Sequence, residues 1–157
     1  YMEIVEKGQE HFREIVGDFL EASNYAGIAF GNAGCAAVHA MSYPLGGIYH
    51  VPHGEANYQF FVEVFQYYKM KKPIGKIEEI EELFARVIGC EKENAFTELG
   101  KLLNNLLNLK PLREYGMKEE DIKGFAESVI VSQQRLLGNN YVPFTKEDLL
   151  TIYSKLF

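Results

Sequence analysis

Apolar residues recur at helical spacing along almost the whole chain, and no segment alternates apolar and polar residues strongly enough to compete with that pattern. After Pro73-Ile74-Gly75, the residues Ile77, Ile80, Leu83, Phe84, Val87 and Ile88 share one face of a helix. Glu78, Glu79, Glu81 and Glu82 take the other face, and Gly89 is a natural stop. Leu99, Leu102, Leu103, Leu106 and Leu107 repeat the pattern ahead of Pro111, which disfavours helical geometry in the residue before it. Ile122, Phe125, Ala126, Val129 and Ile130 open a further helix, expected to run on to Leu136 and Leu137 and to stop at Gly138-Asn139-Asn140. Thr145, with Asp148 three residues later, has the pattern of a capping box for a last helix, docked by Leu149, Leu150, Tyr153, Leu156 and Phe157. At the front, Ile4 to Phe19 reads as one amphipathic helix. It continues through Ala22 to Phe30, a stretch so poor in charge that burial on most sides is expected. The chain therefore reads as all-α, with no repeat and no linker that would split it.

With 157 residues, 47% of them hydrophobic, it is long enough for one domain with a sizeable core. The formal charge of -6 and the scatter of the sixteen basic residues argue against a nucleic-acid surface. No apolar run approaches the ~18–20 residues of a membrane span, and the start at Tyr1-Met2-Glu3 lacks a signal-like segment. Cys35 and Cys90 lie far apart without a CxxC pattern, so both are expected reduced and buried, in keeping with a cytoplasmic location. The abrupt beginning at Tyr1 suggests a piece of something longer.

Gly27 to Phe61 differs from the rest. Charge nearly vanishes, Ala33, Ala36, Ala37, Gly31 and Gly34 crowd together, and His39, His50 and His53 fall within fifteen positions. Pro44-Leu45-Gly46-Gly47 is expected to end the helix carrying His39, and Pro52 suits the first turn of the next, which holds His53 near its start. A helix end and a helix beginning joined by a short loop can bring two imidazoles onto one point, and neutral imidazole is the commonest protein ligand for first-row divalent metals. Spacing alone favours a second reading: His39 as a satisfied core histidine and His53 as a helix-start residue bonded to backbone. His50 is expected to face solvent or pack in the loop, and His11 to be a surface residue.

The full string is more specific than the spacing. His39-Ala40-Met41-Ser42-Tyr43-Pro44-Leu45-Gly46-Gly47, followed by Pro52-His53-Gly54-Glu55-Ala56-Asn57, closely resembles the signature of the iron-containing, group III metal-dependent alcohol dehydrogenases. Glu114 to Ile122, and Asn139-Asn140 with Thr145 to Leu149, resemble that family's closing helices, so the likeness covers essentially the whole chain. The resemblance implies the multi-helix C-terminal domain of the iron-containing alcohol dehydrogenase and dehydroquinate synthase-like type, spanning residues 1–157. It implies His39 and His53 as metal ligands, Fe(II) as the metal with zinc as an alternative, and hydride transfer to NAD. It implies a short ω-hydroxy acid as substrate, with another short alcohol or diol as the alternative. Where many relatives carry a second histidine, this chain has Tyr43. Its hydroxyl is either a proton relay, at an ordinary pKa near 10 that makes it a poor base, or a packing group beside the ligand helix.

The family's N-terminal nicotinamide-binding α/β domain and its two upstream ligands, an aspartate and a histidine, have no match here. There is no glycine-rich strand-to-helix turn of the dinucleotide-binding kind. That domain is the partner implied by the resemblance, and Gly34 to Gly47, with Cys35, Met41, Tyr43 and Leu45, is expected to form the apolar wall it covers unless a second copy of the chain does so. A free-standing helical protein-interaction module, with incidental histidines, is the alternative from a different class.

Overall fold

The computed structural model describes residues 1–157, and every regular element in it is helical: α1 (Met2–Lys7), α2 (Gln9–Ala33), α3 (Ala37–Tyr49), α4 (His53–Lys71), α5 (Lys76–Ile88), α6 (Ala95–Leu107), α7 (Asp121–Ser132), α8 (Gln134–Leu137) and α9 (Lys146–Leu156). Short 3-10 turns precede α6, at Lys92–Asn94, and α7, at Leu112–Tyr115. The all-α reading therefore holds.

The core forms where α3 and α4 pack side by side and α7 and α9 close over them. Ala37, Ala40, Met41 and Leu45 lie three or four residues apart on α3, so they share one stripe, and all four are buried. Ala56, Phe60 and Val64 form the matching stripe of α4. Alanine at three of these positions lets the two backbones come close. From the other side Tyr153 of α9 sets its ring edge-on to Phe60, with centroids 5.4 Å apart, and donates its hydroxyl to the carbonyl of Met41 at 2.7 Å.

α3 does not stop at Pro44. It continues to Tyr49 and ends where His50 adopts a left-handed backbone with φ 55°. Proline inside a helix costs roughly 3 kcal/mol through a lost hydrogen bond and a steric clash. Local sequence therefore predicts a break, but ending the helix there would pull Leu45 off the core stripe that it shares with Ala37 and Met41. Burial of that stripe outweighs the local penalty.

Other expectations are corrected in the same way. Gly8, at φ 84°, divides the first predicted helix into α1 and α2, and α1 folds back against α2. Gln133 interrupts the helix expected to run from Ile122 to Leu137, giving α7 and α8. Ala22 to Phe30 is helical but not buried: Tyr25 is 62% exposed, Ile28 and Phe30 stand similarly open, and α1 is the element that packs most against α2. Low charge indicated that the helix needs a cover without indicating that this chain contains one. Cys35 and Cys90 are free, but only half-buried.

The capping box of α9 forms as the sequence implies: Asp148 N–H donates to Thr145 Oγ1, and Thr145 N–H donates back to Asp148 Oδ2. Asp148 also accepts from Tyr67 and Lys71. Burial pushes its carboxyl upward, yet Lys71, the Thr145 backbone and Tyr67 together hold it below the ordinary range.

Two predictions follow from this packing. Tyr153→Phe removes a fully buried hydroxyl that bonds to Met41, and denaturant unfolding is expected to show a loss of about 1–2 kcal/mol. The second concerns His11, whose Nδ1 lies 2.9 Å from Glu14 and whose Nε2 lies 2.8 Å from Glu3 across the α1–α2 turn. The bonds to Glu14 and then Glu3 raise its pKa. A raised pKa means the clasp contributes fully below the ordinary histidine value and is lost as pH rises through the raised one. NMR should show a late-titrating His11 ring and falling amide protection in α1 over that same interval.

Candidate metal centre

α3 delivers His39 from its first turn, and α4 delivers His53 as its first residue. The loop between them is tight. Gly46 sits where an added side-chain carbon would lie 3.5 Å from the Val51 carbonyl oxygen, so the returning chain passes close to the helix it has just left. The imidazole centroids come to 5.3 Å apart with the planes tilted by 52°. Two imidazoles on one metal, each with a metal–nitrogen distance of about 2.1 Å, cannot have centroids more than roughly 6.5 Å apart, so this pair falls within reach of a shared ion.

The start of α3 is fastened from a distant part of the sequence. No side chain near Ala36 caps the helix; instead Asn140 Oδ1 accepts from the Ala37 N–H at 2.8 Å and from the Tyr68 hydroxyl at 2.9 Å. Its neighbour Asn139 donates to the Cys35 carbonyl at 3.0 Å. Gly34 must be glycine here, since it holds φ 78° and a β-carbon would meet the Asn139 amide at 2.5 Å. These two asparagines set where the turn carrying His39 begins. The sequence marks them as a helix stop and as part of the family-like closing segment, but not as a cap for α3, because a cap supplied from 103 residues away leaves no local pattern.

Burial, with the neighbouring His53, lowers the His39 pKa, so its imidazole is neutral and a lone pair is available near neutral pH. His53 is exposed, and its Nε2 accepts from Asn57 Nδ2 at 3.0 Å. Tyr43 stands one turn after His39, 41% exposed, with its ring centroid 6.5 Å from that of His53. His50 is exposed at the end of α3, and His11, expected as a plain surface residue, is held between its two glutamates.

No third histidine, cysteine, aspartate or glutamate joins His39 and His53 to complete a ligand set. The pair fits half of a catalytic divalent site, which ordinarily draws on three or more protein ligands. The wall around it is not the one expected either. Met41 and Leu45 are buried in the core of this chain, Cys35 is half-buried, and only Tyr43 of the four is exposed. The stripe that binds α3 to α4 uses the very residues that composition assigned to an outside partner. A groove of about 570 Å3 beside Tyr43, between α3 and α7, is lined by Pro44, Ile48, Phe125, Val129 and Gln133. A larger one, about 680 Å3, lies between the N-terminal helices and α6, lined by Ile4, Phe12 and Leu106, and neither histidine reaches it.

A helical domain that brings two histidines together at a helix-to-helix turn defines a class. The family model for the C-terminal region of Fe-containing alcohol dehydrogenases matches residues 1–157, and the chain belongs to that family. It is 59% identical, over all 157 residues, to 4-hydroxybutyrate dehydrogenase of Clostridium kluyveri, covering 42% of that protein. It is 33% identical to lactaldehyde reductase of Escherichia coli K12, with 87% of this chain and 37% of that protein aligned. Among solved structures, a 1,3-propanediol oxidoreductase superposes with a TM-score of 0.71 at 30% identity, over 84% of this chain and 35% of that one. The chain thus spans about two fifths or less of the length of these relatives. No helix in it is long and apolar enough to cross a membrane.

Asn140→Ala should remove the cap on α3 and cost about 1–2 kcal/mol in denaturant unfolding. It should also perturb the NMR resonances of the His39 ring, whereas Thr145→Ala, which removes a cap of similar strength on α9, should leave that ring unchanged.

Proposed function

We propose that this chain forms the two-histidine wall of the active site of an NAD-dependent, metal-containing alcohol dehydrogenase that interconverts 4-hydroxybutyrate and succinate semialdehyde. The observation that carries the reading is the convergence of His39 and His53 at one point, in a chain 59% identical to a 4-hydroxybutyrate dehydrogenase. Iron(II), with zinc as the alternative, would be held by these two imidazoles and by an aspartate and a histidine of an N-terminal α/β domain that also binds NAD. When bound, the metal supplies Lewis acidity that makes the substrate hydroxyl easier to deprotonate.

The residues of this chain have separable roles. Neutral His39 offers its lone pair from a partly desolvated position, and His53 offers a second one from the open side of the cleft. The ring of Tyr43 lines the cleft beside His53, and its role is to pack there and limit water where hydride moves. The exposed apolar side chains of α2 are the surface on which the N-terminal domain rests. Activity then requires both domains, in keeping with a cytoplasmic dehydrogenase acting on a small hydroxy acid.

The test is a set of variants of the full-length protein, scored for bound metal and for NAD-dependent oxidation of 4-hydroxybutyrate. His39→Ala and His53→Ala should each lose metal and activity to background, while Tyr43→Phe should keep activity within a few-fold. The 157-residue chain alone should show no turnover. Full activity in either histidine variant, or NAD-dependent turnover by the isolated chain, would overturn the assignment. Faster oxidation of a diol or a simple alcohol would keep the metal site and replace the substrate.

A further inference from the structure

Ser42, Asn57 and His53 form a hydrogen-bonded chain that leads from the buried side of α3 to the candidate ligand. Ser42 Oγ lies 2.6 Å from Asn57 Oδ1, and its proton is shared with the His39 carbonyl oxygen at 3.0 Å. Asn57 Nδ2 lies 3.0 Å from His53 Nε2, one turn along α4. Distance distinguishes the two ends of the Asn57 amide. A separation of 2.6 Å is ordinary for O–H···O and short for a neutral N–H···O, so the amide oxygen faces Ser42 and the nitrogen faces His53. An amide nitrogen can only donate. His53 Nε2 must therefore accept, and the single proton of the neutral ring resides on Nδ1. Ser42 is 1% exposed, which keeps water from competing for its hydroxyl and so holds the amide in one orientation.

We propose that Ser42 and Asn57 are positioning residues that set the tautomer of His53, holding it as the Nδ1–H form with the Nε2 lone pair unprotonated. The lone pair that accepts from Asn57 is the one a metal ion would take, so the amide acts as a place-holder. With Nε2 already unprotonated, His53 would take a metal by giving up a neutral hydrogen bond and not a proton. The nitrogen that a histidine offers to a metal is commonly set by a hydrogen bond to the other nitrogen. Here the sequence supplies the same selection from the nitrogen a metal would use, through an asparagine four residues along α4 and a serine buried on α3. This inference rests on the reading of His53 as a ligand, yet the tautomer can be measured with no metal present, so the two fail separately.

The experiment is long-range 1H–15N NMR on the metal-free, 15N-histidine-labelled protein in chelator, at a pH where His53 is neutral, with its signals assigned by their loss in His53→Gln. In the unmodified protein the proton should sit on Nδ1 almost completely. Asn57→Ala should convert the ring to a mixture in which the Nε2–H form predominates. Ser42→Ala, which frees the amide to turn over, should give an intermediate mixture while keeping the helical circular-dichroism spectrum, with melting lowered only by the loss of one buried hydroxyl. A proton on Nε2 in the unmodified protein overturns the proposal, and so does an Nδ1–H ring that persists in folded Asn57→Ala. Should Asn57→Ala fail to fold, the unmodified protein and Ser42→Ala still decide the matter. A purely structural asparagine would alter melting without moving the ring proton.

Discussion

The contact between α3 and α4 governs the rest of the molecule. Ala37, Ala40, Met41 and Leu45 on one side and Ala56, Phe60 and Val64 on the other are buried together, and Tyr153 ties the Met41 carbonyl to α9. Burial of a full-sized apolar side chain stabilises by roughly 1.5–3 kcal/mol. A stripe of several such side chains therefore exceeds the penalty of Pro44 within α3. Because the helix is carried past its proline, the loop to α4 is short and returns close to Gly46, and His39 and His53 end on the same side of the pair.

The site inherits its asymmetry from that arrangement. His39 is flanked by core on one side and loses hydration, which keeps it neutral, whereas His53 opens α4 and faces outward. Asn140 and Asn139 fasten the beginning of α3 from the loop that precedes α9, so the packing of α7, α8 and α9 sets the position of a histidine in α3. Disturbing the closing helices is expected to reach His39 without any direct contact with it.

Two kinds of exposed apolar surface should be distinguished. The side chains of α2 around Tyr25, Ile28 and Phe30 have no cover in this chain, while the apolar residues of the signature segment do, with Tyr43 and Ile48 left outside. The first surface is left open to water by the rest of this chain. The second is already spent on holding α3 to α4, and so the turn carrying His39 and His53 keeps its shape without help.

Local sequence determined that the chain is helical, the extent of α5, the buried face of α6 and the capping box at Thr145, because each depends on residues within a turn or two of one another. The signature string also made His39 and His53 legible as a pair. Tertiary structure decided what local rules could not: that α3 passes through Pro44, that Met41 and Leu45 face inward, that α2 stays bare, and that Asn140 caps a helix 103 residues away. Local propensity is worth a few tenths of a kcal/mol to a few kcal/mol per residue, and burial of a shared stripe is worth several. Where the two disagree, the packed face prevails, and which face is packed depends on partners that lie far away in the sequence.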